Sequence, residues 1–344
     1  MSHPVTMKDI AERVGKSVSA VSKALGGAPD IGPETTAAVR GAAADLGYVP
    51  NVAARQLQTR RTDTVGLVLP ISDLRLSDPF FSEFLSGLVG RLDTFGLGLH
   101  VSTVNGEDPE SVYLRHIRGR RVDGFVVVRT RVDDPRVAVL DKWKIPFVSF
   151  GRTNADCAHN YVDEDGGAAM EAIVDHLVGL GHTRLVCLAE PPEFTKSHHR
   201  VQGFLSGLRK HGLAVSDDSV VVAGHRRVSG HQSASQVLGR PEPPTAIACC
   251  NDLIALGAMK AAQEIGLAVG RDVSIAGFDD IELAAHVDPS LTTVRNAAED
   301  SGQMAAEILG RVICGEEVMA NQVLVDLDLV VRASTGPVRP SAMQ

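Results

Sequence analysis

The chain has 344 residues, 44% of them hydrophobic, with 34 Lys/Arg against 42 Asp/Glu and a formal net charge of −8. No apolar run reaches the about 18 residues that a membrane helix needs and no secretory signal is legible, so a soluble, cytoplasmic protein is expected. The five cysteines (157, 187, 249, 250, 314) form no CxxC pair and read as small buried hydrophobes of a reducing compartment.

Three short helical patterns come first. Thr6 and Asp9 form a capping box ahead of Ile10, Ala11 and Val14, and Gly15 ends that helix. Ser17 caps a second helix whose buried stripe is Val21, Ala24 and Leu25. Two helices joined by so short a glycine-containing turn form a helix-turn-helix, whose second helix enters the major groove of DNA. Ser17, Val18, Ser19, Ser22 and Lys23 are the residues placed to meet bases or phosphates. Val18 suits a thymine methyl, the serines suit base edges or phosphates, and Lys23 suits guanine or phosphate. A third helix lies between Gly32-Pro33 and Gly47, with Thr36, Val39, Ala43 and Leu46 closing the core. Residues 1–62 hold eight Lys/Arg against five Asp/Glu, a net +3 that leaves −11 for the rest. A basic head on an acidic body touches phosphate with one end only.

The remaining about 280 residues suffice for two lobes. Strand-like runs at 64–69, 98–103, 125–128, 147–150, 184–189, 219–223, 246–250 and 273–278 alternate with helical patterns at 79–95, 109–119, 135–142, 166–180, 200–211, 229–238 and 252–265. Such alternation predicts parallel sheets with crossover helices, and the nearly all-apolar strands predict sheets covered on both faces. Ligands bind beyond the carboxyl ends of such strands. Those ends collect Pro70-Ile71-Ser72, Arg129-Thr130, Gly151-Arg152, Glu190, His225, Asn251-Asp252 and Asp279-Asp280, a mixture that suits a hydroxyl-rich ligand. His182 reads as structural. The His198-His199 pair lacks a Cys or carboxylate at ligand spacing, so no metal and no cofactor is expected.

Residues 6–62, running from Thr6 through "AERVGKSVSAVSKAL" to "YVPNVAARQLQTRRT", resemble the head of the LacI/GalR family of transcriptional regulators. The later segments "VDEDGG", "GLGHTRLVCLA", "CCNDLIALGAMKAAQEIGL", "VSIAGFDD", "PSLTTVR" and "LVVRAST" continue the resemblance through the chain. It implies an all-α helix-turn-helix head (1–50), a hinge helix and linker (51–62) and a two-lobed α/β periplasmic-binding-protein-like core of doubly wound parallel sheets (63–344). The first lobe would span about 63–160 plus 292–325, and the second about 161–291 plus 326–340. It further implies that Leu57 wedges into the minor groove, flanked by Asn51, Ala54 and Arg55. In the core it implies an effector held by Asp252 after Asn251, by Arg200, by an aromatic at Phe80 or Phe81 and by His225 as the opposite wall, with Arg152 and Asp279 nearby. Asp252 can equally cap the helix it begins, and one of the two phenylalanines is expected in the core. The sequence departs from the family pattern at Lys16, at Gly26-Gly27 and at Gly32, which bears on fine base preference.

A homodimeric repressor on a pseudo-palindromic operator, controlled by a small molecule such as a sugar, is therefore expected. A purine- or nucleoside-responsive regulator of the same architecture and a non-enzymatic solute-binding protein are the alternatives. An enzyme is not expected: no GxGxxG follows a strand, and neither a P-loop nor a Ser/His/Asp or Cys/His set is legible. The short segment after Thr335 carries no heptads, so no tetramerising tail is expected.

Overall fold

The computed structural model describes residues 5–28, 30–49, 61–70, 79–104, 108–155, 157–316 and 321–339. The chain separates into two compact units, Met1–Arg61 and Thr62–Gln344. The first holds α1 (Met7–Val14), α2 (Val18–Leu25) and α3 (Pro33–Leu46). At the start of α1 the Asp9 carboxylate accepts from both the backbone N–H and the hydroxyl of Thr6, at 2.7 and 2.8 Å. Gly15 turns left-handed (φ 65°) to end it. Ser17 accepts from the N–H of Ala20 at 3.1 Å and so opens α2. Ile10, Ala11, Val21, Ala24, Val39, Ala42 and Ala43 are buried together, a core rich in alanine that lets three short helices approach closely.

The second unit begins with β1 (Thr64–Pro70), α4 (Pro79–Thr94), β2 (Gly98–Val104), α5 (Pro109–Arg118), β3 (Gly124–Val127), α6 (Pro135–Lys142), β4 (Phe147–Phe150) and β5 (Asn160–Glu164). It continues through α7 (Gly166–Gly179), β6 (Leu185–Ala189), α8 (Thr195–Lys210), β7 (Val220–Val222), α9 (Arg227–Leu238), β8 (Ala246–Cys249), α10 (Asp252–Glu264), β9 (Ser274–Ala276) and α11 (Glu282–His286). Last come β10 (Thr293–Arg295), α12 (Ala298–Ile313), β11 (Gln322–Val325) and β12 (Asp328–Val330). One sheet has the order β11-β5-β4-β3-β1-β2, the second β7-β6-β8-β9, and every pairing in them is parallel. β10 and β12 form a small antiparallel pair. All residues of β3 and of β8 are buried, as helices on both faces require.

Two lobes follow from this order, and the chain passes between them at Asp165, at Asn296-Ala297 and at Asp326-Leu327. In the first lobe α4 and α12 pack at glycines. A Cβ on Gly87 would fall 2.0 Å from the Glu299 carbonyl oxygen, and one on Gly302 would fall 2.2 Å from that of Phe84. β5, β10, β11, β12, α11 and α12 have no counterpart among the elements expected from the sequence. The pattern expected for α8 starts at residue 200, whereas that helix begins at Thr195. The hinge candidates Asn51, Ala54, Arg55 and Leu57, and Ile71-Ser72 after β1, lie outside the described residues.

Candidate functional site

A cavity of about 1000 Å³, counted out to its mouth, opens between the lobes at the carboxyl ends of the strands. The first lobe contributes Leu69 from β1, Arg129 and Thr130 after β3, Phe150 and Gly151 from β4, Asp163 and Glu164 from β5, and Phe80, Phe81 and Phe84 from the first turns of α4. The second lobe supplies Phe194, Lys196, His199 and Arg200 from the start of α8, and Asp279 after β9. Local sequence explains the placement. Asp165 accepts from the N–H of Ala168 at 3.1 Å and starts α7 directly after β5, which leaves Glu164 at the strand's last position. Gly151 (φ 105°) lets β4 turn away beside Thr130, whose Oγ1 would lie 2.1 Å from any Cβ there.

Arg200 is the electrostatic centre. Its guanidinium donates to the Cys250 carbonyl at 2.6 Å and to Asp279 Oδ1 at 3.3 Å, stands 3.8 Å from Glu164 Oε2 and stacks 3.5 Å from the Phe278 ring centroid. Burial works against its charge, but Asp279, Glu190 and Glu164 outweigh that and hold its pKa above the ordinary arginine value. Glu164 moves the other way: burial pushes its carboxyl up, and the Arg200 charge offsets only part. The Arg200 Nε has no hydrogen-bond partner among the described residues, which leaves a donor to spare in the site.

Behind the cavity lies Glu190. Asn251 Nδ2 donates to its Oε1 at 2.9 Å, His225 Nδ1 lies 2.7 Å from the same oxygen, and Lys196 Nζ stands 2.9 Å from the other. Burial alone would raise this carboxyl; the Lys196 and His225 neighbours win and hold it well below the usual range.

The structure brings Phe80, Phe81, Arg200 and Asp279 to the cavity wall. Four other expected residues are placed elsewhere. Asp252 is fully buried, accepting from the Thr293 hydroxyl at 2.6 Å and the Ile281 N–H at 2.9 Å, so it fastens the loop that carries Asp279 and does not face the cavity. Burial, only partly offset by those two bonds, raises the Asp252 pKa to about 7. Asn251 caps α10 through the Ile254 N–H at 2.7 Å and, with His225, faces Glu190. Arg152 pairs with Asp163 at 2.7 Å and points into a different crevice. Asp163, Glu164, Phe194 and Lys196 are wall residues not expected from the sequence, although "VDEDGG" already held the first two, and His199, weighed there only as a metal ligand, joins them.

In the head, Ser17, Val18, Ser19 and Lys23 are exposed and Ser22 is half-buried, along one side of α2. Lys23 is paired with Asp30, a contact that the sequence reading did not foresee.

The model of bacterial regulatory proteins of the lacI family matches residues 6–51, and that of the periplasmic binding protein-like domain matches residues 174–335. The HTH-type transcriptional regulator AglR of Rhizobium meliloti (strain 1021) is 34% identical over 338 residues, covering 97% of this chain and 95% of that protein. Among solved structures, the lac repressor dimer bound to operator and the anti-inducer ONPF superposes with a TM-score of 0.84 at 29% identity, covering 97% of this chain and 100% of that one. The transcriptional regulator CelR–cellobiose complex gives 0.74 at 28% identity, covering 96% and 99%. Identity along nearly the whole length, together with a three-helix head and a two-lobed parallel α/β body, makes this chain a member of the LacI family of DNA-binding transcriptional regulators.

Proposed function

We propose that the protein is a cytoplasmic repressor that binds a pseudo-palindromic operator as a homodimer, and that its operator affinity is set by a sugar held between the lobes. The cavity wall carries this reading. Phe80, Phe81, Phe150 and Phe194 offer flat apolar faces, while Arg200, Lys196, Asp163, Glu164 and Asp279 offer both donors and acceptors. A pyranose has both kinds of surface, with C–H faces and a rim of hydroxyls that each donate and accept. The cellobiose bound by the related CelR is of that class.

Control follows from linkage. A ligand touching both lobes favours the closure in which both sets of contacts form, and a closure that alters operator affinity must reciprocally alter ligand affinity. None of the wall residues is needed to break a bond; they position and neutralise.

Titration calorimetry on the full chain with cellobiose, maltose and adenosine, paired with a gel shift on a selected operator, tests this. A sugar bound once per chain that changes operator affinity is the expected result. Adenosine binding with no sugar binding would replace the sugar by a nucleoside. Sugar binding by a chain that holds no duplex DNA would make it a solute-binding protein.

A further inference from the structure

A second crevice between the lobes, about 670 Å³ counted out to its mouth, is lined by Val132, Arg152, Thr153, Asn154, Tyr161 and Gln322 from one lobe and by Thr195, His198 and His199 from the other. Its chemistry differs from that of the effector cavity, whose wall holds three carboxylates, Asp163, Glu164 and Asp279. No carboxylate lines the second crevice among the described residues, and nearly every polar group there can donate. Asp163, in the wall of the other cavity, accepts from Arg152 Nε at 2.7 Å, and the terminal guanidinium nitrogens make no hydrogen bond among the described residues. Burial, reinforced by the Arg152 charge, keeps the His199 pKa below the ordinary imidazole value, so Arg152 is the fixed cation.

Two further observations point to a ligand. Thr195 is buried to 2% exposure and its hydroxyl has no partner among the described residues. Thr195 also opens the 16-residue helix α8, whose N-cap residue, Phe194, supplies no side-chain acceptor to the first turn. The Thr195 N–H is taken up by the Thr130 carbonyl at 2.9 Å, so what the helix start offers is its unpartnered hydroxyl and the positive end of the helix dipole, which attracts negative charge.

We propose that this crevice is an accessory anion site, taking the carboxylate or phosphate group of a small molecule through Arg152, the start of α8, Thr195 and the amides of Asn154 and Gln322. His199 stands in the walls of both cavities, so an occupant of one shares a side chain with an occupant of the other. The site therefore gives the regulator a second chemical input, an anion alongside the uncharged sugar of the first cavity.

The test is titration calorimetry of the full chain with inorganic phosphate and, separately, acetate. One anion bound per chain is expected, weakened about tenfold or more in Arg152→Gln and by a smaller factor in Thr195→Val, which keeps the packing and removes only the hydroxyl. Phe81→Ala, which changes the wall of the other cavity, should leave phosphate binding as it was. Tighter phosphate than acetate binding would identify a phosphorylated ligand, and the reverse a carboxylic acid. Failure of both anions to bind, binding indifferent to Arg152→Gln and Thr195→Val alike, or loss in Phe81→Ala would each overturn the proposal, whatever sugar the effector cavity takes.

Discussion

Asp252 shows how a residue at a strand end serves a site without touching the ligand. With no exposed surface, it ties the Ile281 N–H and the Thr293 hydroxyl together and thereby holds Asp279 and Asp280, both at positive φ, in place. An aspartate in the unfolded chain ionises near pH 3.8, whereas this one does so at about 7, with burial as the main cause. Between those values the folded state keeps a proton that the unfolded state has lost, so stability falls as pH rises through the window and levels off above it. Urea unfolding of the wild type and of Asp252→Asn across that window should show the wild type losing ground steadily; parallel curves would mean an ordinary carboxylate. Arg200 has the opposite character, a cation held by its surroundings. Arg200→Lys should weaken effector binding at least about tenfold, because one ammonium cannot span the Cys250 carbonyl and Asp279 as the planar fork does. Unchanged affinity by calorimetry would remove Arg200 from the site. Asp279 was legible as a charged residue at a strand end, and Arg200 only through the family resemblance. The inward turn of Asp252 was not, because it depends on where the loop 277–281 lies in space.

Among the elements, α2 turns Val18, Ser19 and Lys23 to the surface. Val18 is 45% exposed, and Ser19 lies beside it on the surface. The Lys23–Asp30 pair is solvent-exposed, worth about 0–1 kcal/mol, and Lys23 is free to exchange it for a phosphate. Lys23→Ala should therefore weaken operator binding uniformly across sequences and flatten its salt slope, whereas Val18→Ala or Ser19→Ala should shift the selected-site consensus. A consensus unmoved by either change would show that α2 is not the reader. The head helices were readable because caps and glycine stops are local chemistry. α12 was harder: up to Ala306 its buried side is Ala298, Ser301, Gly302, Ala305 and Ala306, with large apolar residues only at Ile308 and Leu309, yet that smallness is what lets α4 come close. The first turn of α8, Thr195 to His199, has one good helix former, Lys196, among four weaker ones and reads as loop; tertiary contacts make it helical, and it carries wall residues of both cavities.

At the scale of the whole molecule, the lobes are interleaved in sequence: β5 of the first sheet pairs on its far side with β11, which follows the entire second lobe. During synthesis the first lobe is thus begun first and finished late. Until α12 and β11 have left the ribosome, β5 is an unpaired edge, and Leu88, Leu92 and Val126 lack the cover that Ala305, Ala306 and Leu309 provide. The second sheet, by contrast, closes from a continuous stretch, β6 to β9, within residues 185–276. Chains ending just before Ala298 should show residues 185–276 protected in pulse proteolysis while β1 to β5 are cleaved; equal protection of both would mean that the first sheet closes without its last strand. The lobe born first is then the one most in need of a chaperone, and the cleft between the two takes its final form only once that lobe is finished.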